Sequence, residues 1–347
     1  MAYVMIEPIE RIIPAAKPAA ADVSILIVTW NSERWIERCL WSIPAACEGL
    51  EYEVLLHDNA STDATLDIVK EGGRPVRQAD GTSALHILRS DRNDGFAAGM
   101  NRAISASRGR YVILLNPDCE LEPRALTLLF DFLESRPHVA AAVPLLIEED
   151  GTDQREFQLR RLPTLGTLAA EVLMLDKLFP RNPATARYRY RDLDLTEPRR
   201  IEQPAAAALV LRRTVVDEIG AFDEQFAPAW FEDVDYCRRL AERKKEVWVV
   251  PDARVRHFGG ASLEHMAAGE FIDVWYRNMW RYARKWLPAA HAEALRWVII
   301  FGMLLRCGAA LLGMKPRAMS RRAAIRAWAN VLRKASKRWA ASSRSSS

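Results

Sequence analysis

Three acids fall within four residues in Trp230-Phe231-Glu232-Asp233-Val234-Asp235, with two aromatics immediately before them. Carboxylates crowded beside aromatic rings lose water and raise one another's pKa, and a poised carboxylate suits deprotonation of a hydroxyl. The same acids at a helix start also gain from the helix dipole, a plainer account of the same residues. A further carboxylate, Asp118, stands in Asn116-Pro117-Asp118 directly after the apolar run Val112–Leu115. In that position it can hold a hard cation such as Mg2+ or Mn2+ that also grips a diphosphate. A proline turn with a capping aspartate fits these residues too. His257 lies in a glycine-bearing stretch, residues 254–262, where adjacent glycines allow close backbone approach to a ligand. Imidazole is a reasonable late metal ligand, although a lone histidine is more often structural.

These groups need elements to carry them. Short apolar strands alternate with amphipathic helices, the pattern of an α/β domain whose mostly parallel sheet is covered on both faces. Strands are predicted at 23–28, 53–56, 84–88, 111–115, 139–144, 205–211 and 246–250. Helices are predicted at about 33–42, 95–107, 123–134, from 214, and at 231–243, with a loop over 254–262. Residues 148–202 are rich in Arg and Pro and read as an insertion with partial helices; beyond Glu270 the pattern is helical. In open α/β sheets, ligands bind at the carboxyl ends of the strands. Here the first, second and fourth strands end in Thr29-Trp30-Asn31, Asp58-Asn59-Ala60-Ser61-Thr62-Asp63 and Asn116-Pro117-Asp118. Three polar turns at equivalent positions describe the rim of one pocket. Asp58 fits an acceptor for a base N–H or a ribose hydroxyl, and equally an N-cap. No GxGxxG follows the first strand, which argues against a dinucleotide-binding dehydrogenase.

Charge is unevenly spread. The net charge is +4, yet residues 294–347 hold 12 Lys/Arg and no Asp/Glu, leaving 37 basic against 45 acidic residues elsewhere. An acidic body with a basic tail predicts an anionic partner for the tail. Ile325, Trp328, Leu332, Ala335 and Trp339 share one helical face and Arg322, Arg326, Arg333 and Lys337 another, which predicts an amphipathic helix lying in a membrane interface. A helix packed on the body is the alternative. Tryptophan and long apolar runs suit lipid better than phosphodiester, so no nucleic acid is expected. The apolar stretch 297–314 is interrupted by Arg306 and is short for a clean span. Five cysteines without CxxC or zinc spacing read as free thiols in a reducing compartment. With no signal peptide visible, the expectation is a cytoplasmic protein, peripheral on the inner face of the cell membrane.

Taken in order, the motifs resemble those of family 2 glycosyltransferases, in particular the bacterial cell-surface polysaccharide branch that includes rhamnosyltransferases. The resemblance spans 23–262 and rests on seven segments, 23–32, 58–63, 93–101, 114–118, 220–226, 231–240 and 257–262. It implies a single nucleotide-diphospho-sugar transferase domain of the GT-A type over 22–265, with 148–202 a variable insertion, after a tail at 1–21 and before C-terminal helices at 266–347. It implies that Thr29, Asn31, Asp58, Asn59, Asn93, Gly95, Asn101 and Asn116 hold the nucleotide, and that Asp118 and His257 hold Mg2+ or Mn2+. Asp233 is then the base, and Trp230 and Glu232 seat the acceptor. The donor is a nucleotide diphosphate sugar, with dTDP-rhamnose the leading expectation, and the acceptor a glycan or lipid-linked glycan. The usual Asp-x-Asp metal motif reads Asn116-Pro117-Asp118 here, which lowers the expected metal affinity. Two other readings stand beside this one. A sugar nucleotidyltransferase wants a Gly-rich, Arg/Lys-bearing loop after the first strand, which Thr29-Trp30-Asn31-Ser32 lacks. A non-catalytic nucleotide-sugar-binding subunit of a polysaccharide assembly complex has no need of the acids at 232–235.

Overall fold

The computed structural model describes residues 21–72, 76, 84–179, 181–259, 266–312 and 319–339. The expected tail, but for residue 21, and the Gly260–Ser262 end of the last motif lie outside them. The chain begins β1 (Val23–Thr29), α1 (Ile36–Ala46), β2 (Tyr52–Asp58), α2 (Thr65–Gly72), β3 (Leu85–Arg89), α3 (Phe96–Ala106) and β4 (Tyr111–Leu115). It continues with β5 (Cys119–Leu121), α4 (Ala125–Glu134) and β6 (Val139–Ile147). The insertion supplies α5 (Arg155–Gln158), β7 (Leu159–Arg160), α6 (Leu165–Val172), α7 (Leu175–Leu178), α8 (Pro183–Tyr188) and β8 (Arg199–Ile201). Then come β9 (Gln203–Pro204), β10 (Ala208–Arg212), α9 (Arg213–Ile219), α10 (Glu232–Glu242) and β11 (Glu246–His257). Three helices close the described chain: α11 (Ala268–Trp286), α12 (Ala289–Leu311) and α13 (Arg321–Ser336).

Every residue of β1, β2 and β4 is buried, as strands covered on both faces require. Alternation sends Ile25, Ile27, Val54 and Leu56 toward α1 and α4, and Leu26, Leu55, Val112 and Leu114 toward α3 and α10. The sheet order is β3-β2-β1-β4-β10-β6-β11-β5, with β8 also on β11. Strands β3, β2, β1 and β4 are parallel, β10 runs antiparallel between β4 and β6, and β11 returns parallel to β6. The carboxyl ends of β1, β2 and β4 therefore share one edge, as the sequence pattern requires.

Two expectations change. Residues 254–257 continue β11 instead of forming a loop. A register shift between Val250 and Arg254, around Pro251, makes the strand look finished in sequence. The short β5 then captures its far end, pairing Val255 with Leu121 and His257 with Cys119. The second change concerns α13. Its apolar face, expected at a membrane, is packed into the protein: Trp328 and Ala335 are buried, and Trp339 stacks on Trp280 at 5.3 Å. Burying that face against α11 and α12 offers a continuous apolar core, so the isolated-helix reading fails.

That core also includes Phe226, Phe231 and Val234 beside the acid turn and Leu168 and Val172 of the insertion. The C-terminal helices thus share one core with the acid turn and the insertion. One described helix, Ala289–Leu311, is long and apolar enough to cross a membrane.

Candidate active site

The rim at the ends of β1 and β2 is closed by hydrogen bonds between its own residues. Asp58 is fully buried; Thr29 Oγ1 donates to its Oδ1 at 3.1 Å and the Ser61 N–H to its Oδ2 at 3.0 Å. Asn31, in the left-handed region at φ 51°, accepts the Thr62 N–H at 2.8 Å while its own N–H donates to Ser61 Oγ at 2.9 Å. Asn59 donates through Nδ2 to the Gly95 carbonyl at 3.1 Å, and its N–H to the Thr29 carbonyl at 2.8 Å. It is Asp63, not Asp58, that serves the start of α2, accepting the Thr65 N–H at 3.0 Å.

The segment 93–101 divides. Asn93 accepts the Gly95 N–H at 2.9 Å, shaping the turn into α3. Gly95 has φ 94°, and a Cβ there would lie 2.6 Å from the Pro228 carbonyl oxygen, so only glycine fits. The Phe96 N–H donates to that same carbonyl at 2.7 Å, which ties this turn to the segment before the acid cluster. Asn101 points elsewhere. Its amide donates to the Phe222 carbonyl at 3.0 Å and to Glu224 Oε1 at 2.8 Å, and its oxygen accepts the Phe222 N–H at 2.8 Å. Those bonds use the side chain to hold the 222–224 segment, away from the β1–β2 rim.

Asn116 follows β4, its N–H donating to the Ala207 carbonyl at 2.8 Å. Asp118 is 5% exposed and His257 6%, and His257 Nε2 lies 3.7 Å from Asp118 Oδ1. The pairing of β5 with β11 brings them together, and the Phe258 N–H donates to the Asp118 carbonyl at 3.0 Å. Gln154, from the insertion, orients the ring. Its Nε2 donates to the His257 carbonyl at 2.7 Å, so its Oε1, 3.0 Å from His257 Nδ1, must accept. Nδ1 therefore carries the proton and Nε2 presents a lone pair toward Asp118. Burial holds the imidazole pKa below its ordinary value, against the pull of the Asp118 charge, which keeps the ring neutral. Phe157 stacks on it at 5.1 Å.

Asp118, Cys119 and His257 have ligand atoms within 4.8 Å of one another. A carboxylate and a neutral, oriented imidazole fit Mg2+ or Mn2+. Cys119 suits these hard cations less well, since a thiol is a soft ligand and its Sγ faces the Ala207 carbonyl at 3.4 Å.

The acid turn resolves into three roles. Asp235, fully buried, is anchored by Arg239 Nε at 3.1 Å, Trp286 Nε1 at 2.8 Å and Lys285 Nζ at 2.7 Å. Glu232 is buried with Oε2 lacking a hydrogen bond, and burial followed by the neighbouring Asp233 charge pushes its pKa well up. Asp233 is half-buried. Burial raises its pKa, while N–H groups of Val234 and Ala206 and the Arg160 charge partly offset that rise. Trp230 and Phe231 both sit at positive φ, 70° and 75°, a costly pair of conformations for large side chains. Asn278 maintains them. It is fully buried and its Nδ2 donates to the carbonyls of Phe226, Ala229 and Trp230 at 2.7, 3.0 and 3.1 Å. Trp230 packs edge-on against Phe271 at 4.8 Å.

Gln154 and Asn278 escape sequence reasoning. Neither lies in a motif; the one available signal for Asn278 is a polar residue on the apolar face of a long C-terminal helix.

A family model described as Glycosyl transferase family 2 matches residues 24–218. The match includes Asp118, while Asp233 and His257 lie beyond its end. The N-acetylglucosaminyl-diphospho-decaprenol L-rhamnosyltransferase of Mycobacterium tuberculosis (strain ATCC 25618 / H37Rv) is 28% identical over 285 residues, covering 76% of this chain and 87% of its own. The succinoglycan biosynthesis protein ExoO of Rhizobium meliloti (strain 1021) is 30% identical over 156 residues, 44% of this chain and 42% of its own. Among solved structures, S. aureus TarS 1-349 overlaps 91% of each chain at 15% identity, with a TM-score of 0.48.

Proposed function

The chain belongs to glycosyl transferase family 2 and is a glycosyltransferase; from that premise we propose a metal-dependent, inverting transfer of L-rhamnose from dTDP-rhamnose to a lipid-linked glycan. The mycobacterial relative's name supports the sugar and the class of acceptor. The body at 22–265 is the catalytic domain, and the helices at 266–347 support its acceptor side and meet an anionic membrane at the cytoplasmic face.

The observation that carries the metal-dependent reading is the buried Asp118–His257 pair at 3.7 Å, with Gln154 fixing the imidazole tautomer. Asp118 and His257 would hold Mg2+ or Mn2+, which supplies Lewis-acid neutralisation of the leaving diphosphate. Thr29, Asn31, Asp58, Asn59, Asn93, Gly95 and Asn116 form the donor side, mostly by fixing backbone that faces the nucleotide. Asn101 positions the 222–224 segment. Trp230 and Glu232 shape the acceptor side.

Asp233 takes the proton from an acceptor hydroxyl as its oxygen bonds to the anomeric carbon. The bond from that carbon to the diphosphate oxygen breaks on the opposite face, so one displacement inverts the configuration. Burial that raises the Asp233 pKa strengthens it as a base once it is ionised. The test is direct: purified protein, dTDP-rhamnose and a polyprenyl-diphosphate N-acetylglucosamine, with and without Mg2+ or Mn2+. The expected product carries an inverted linkage and forms only with metal. Transfer from UDP-glucose but not dTDP-rhamnose would overturn the donor assignment.

A further inference from the structure

The membrane partner of the proposed function is meant to meet the C-terminal helices, but the face expected to make the contact, on α13, is packed inside the protein. A different face is bare. Along α12 the exposed large side chains are Trp297, Phe301, Leu304, Leu305 and Leu311, between 51% and 70% exposed, with Leu312 following at 80%. At 3.6 residues per turn these positions fall within an arc of about 120°, a single continuous stripe. Among the described residues from 294 to 312, no charged side chain is fully exposed. Arg296 is buried against Glu293 at 2.8 Å, and Arg306 bends back to the Gly302 carbonyl at 3.1 Å. The charges that interrupt the apolar pattern in sequence are thus turned away from the stripe.

We propose that this stripe is the surface that inserts into an anionic lipid interface, with α12 lying in the plane of the membrane. The inference rests on the membrane reading given above. Charge complementarity selects lipid as the occupant. The helix α13, packed along α12, exposes Arg321, Arg322, Arg326 and Arg333, and the whole of 294–347 contains no acidic residue. An apolar stripe on a helix packed against one that exposes four arginines matches acyl chains below anionic headgroups. Spanning is excluded by the opposite face. Leu295, Ile299, Gly302, Met303 and Ala310 are buried in the protein, and a Cβ on Gly302 would meet Val172 of α6 at 2.9 Å. A spanning α12 would have to give up that packing. Lying flat, α12 keeps its contact with α6 and its place in the core shared with Phe231 and Val234 of the acid turn.

The test uses the full chain and sedimentation with vesicles of phosphatidylcholine alone or mixed with phosphatidylglycerol. The wild type is expected to bind the mixed vesicles and to resist release by high salt. The double variant Leu304→Glu/Leu305→Glu, altered only at exposed positions, is expected to partition at least tenfold more weakly with unchanged thermal unfolding. Trp297→Phe gives a gentler check: quenching of tryptophan emission by brominated lipid should fall relative to wild type. Wild type that binds no vesicle at low salt would sink the membrane reading itself. Wild type that binds, with a double variant binding equally well, would overturn this face alone. A concentration-dependent dimer that the double variant dissolves, without lipid binding, would assign the stripe to a second copy and overturn the proposal.

Discussion

Asp58 at the first rim and the Glu232–Asp233 pair of the acid turn are held in opposite ways. On the donor side, Asp58 and Asn31 have side-chain oxygens engaged by the neighbouring loop, and Thr29 donates into the same network. On the acceptor side, Glu232 keeps a buried oxygen without a partner and Asp233 is held above the ordinary aspartate range. A carboxylate whose lone pairs are filled by N–H and O–H donors is a shaping device. One that burial holds above its ordinary pKa is suited to proton transfer. The difference supports the proposal that the first rim shapes the pocket and the second moves the proton.

The largest effect separates the two sides most sharply. Chelation should take transfer to background, and Asp118→Ala should lower it on the order of 10³-fold, since Lewis-acid stabilisation is worth several kcal/mol. Calorimetry should show the loss in binding of nucleotide diphosphate with metal, and little change for the bare nucleoside. Full transfer in excess EDTA would remove the metal from the mechanism. Next comes the base. Asp233→Asn keeps shape and removes basicity, so transfer should drop by about 10²-fold or more while donor binding stays near wild type. Because burial raises its pKa, the wild-type rate should fall with decreasing pH through a limb above the usual aspartate value of about 3.9. If Asp233→Asn keeps half of the activity, the acid turn is structural. A smaller effect follows at Gln154. Gln154→Leu leaves His257 in place but removes the acceptor that sets its tautomer, which should weaken Mn2+ binding by about tenfold. Isothermal titration with Mn2+ alone reads this without any turnover.

Much of this contrast was legible in the residues. Alternating burial follows directly from the apolar runs of β1, β2 and β4, so the pocket edge and the positions of Asp58 and Asp118 were predictable. The acid turn was visible as a cluster. Its division of labour was not, because Lys285 and Trp286, which anchor Asp235, lie 50 or more residues away on α11. Gln154 was hidden for the same reason: its role depends on the insertion folding back onto β11. The α13 prediction failed because helical periodicity reports that a face is apolar and says nothing of what covers it. On α12 the opposite held, where Arg306 masked a stripe that its side chain leaves open.

The smallest effect tests the poised side without any substrate. Glu232 is an acid whose folded pKa is raised, by burial first and the Asp233 charge second. Folding therefore binds its proton more tightly than the unfolded chain does, so its ionisation costs stability as pH rises from the unfolded value of about 4.3 through the folded one. Above that window the wild type bears the whole cost. Glu232→Gln carries no charge and nearly the same shape, and should be more stable at neutral pH by roughly 1 kcal/mol or more, one pKa unit being worth about that much. The gain should shrink as pH falls toward the unfolded value, where the wild-type carboxyl is protonated as well. On the donor side the same change has the opposite sign. Asp58→Asn gives up charge-assisted bonds from Thr29 and Ser61, which should cost about 1–3 kcal/mol. Denaturant unfolding of both variants across pH decides the matter: a Glu232→Gln protein less stable than wild type at neutral pH would mean that Glu232 is held by contacts of the same kind as Asp58, and the two sides would no longer differ.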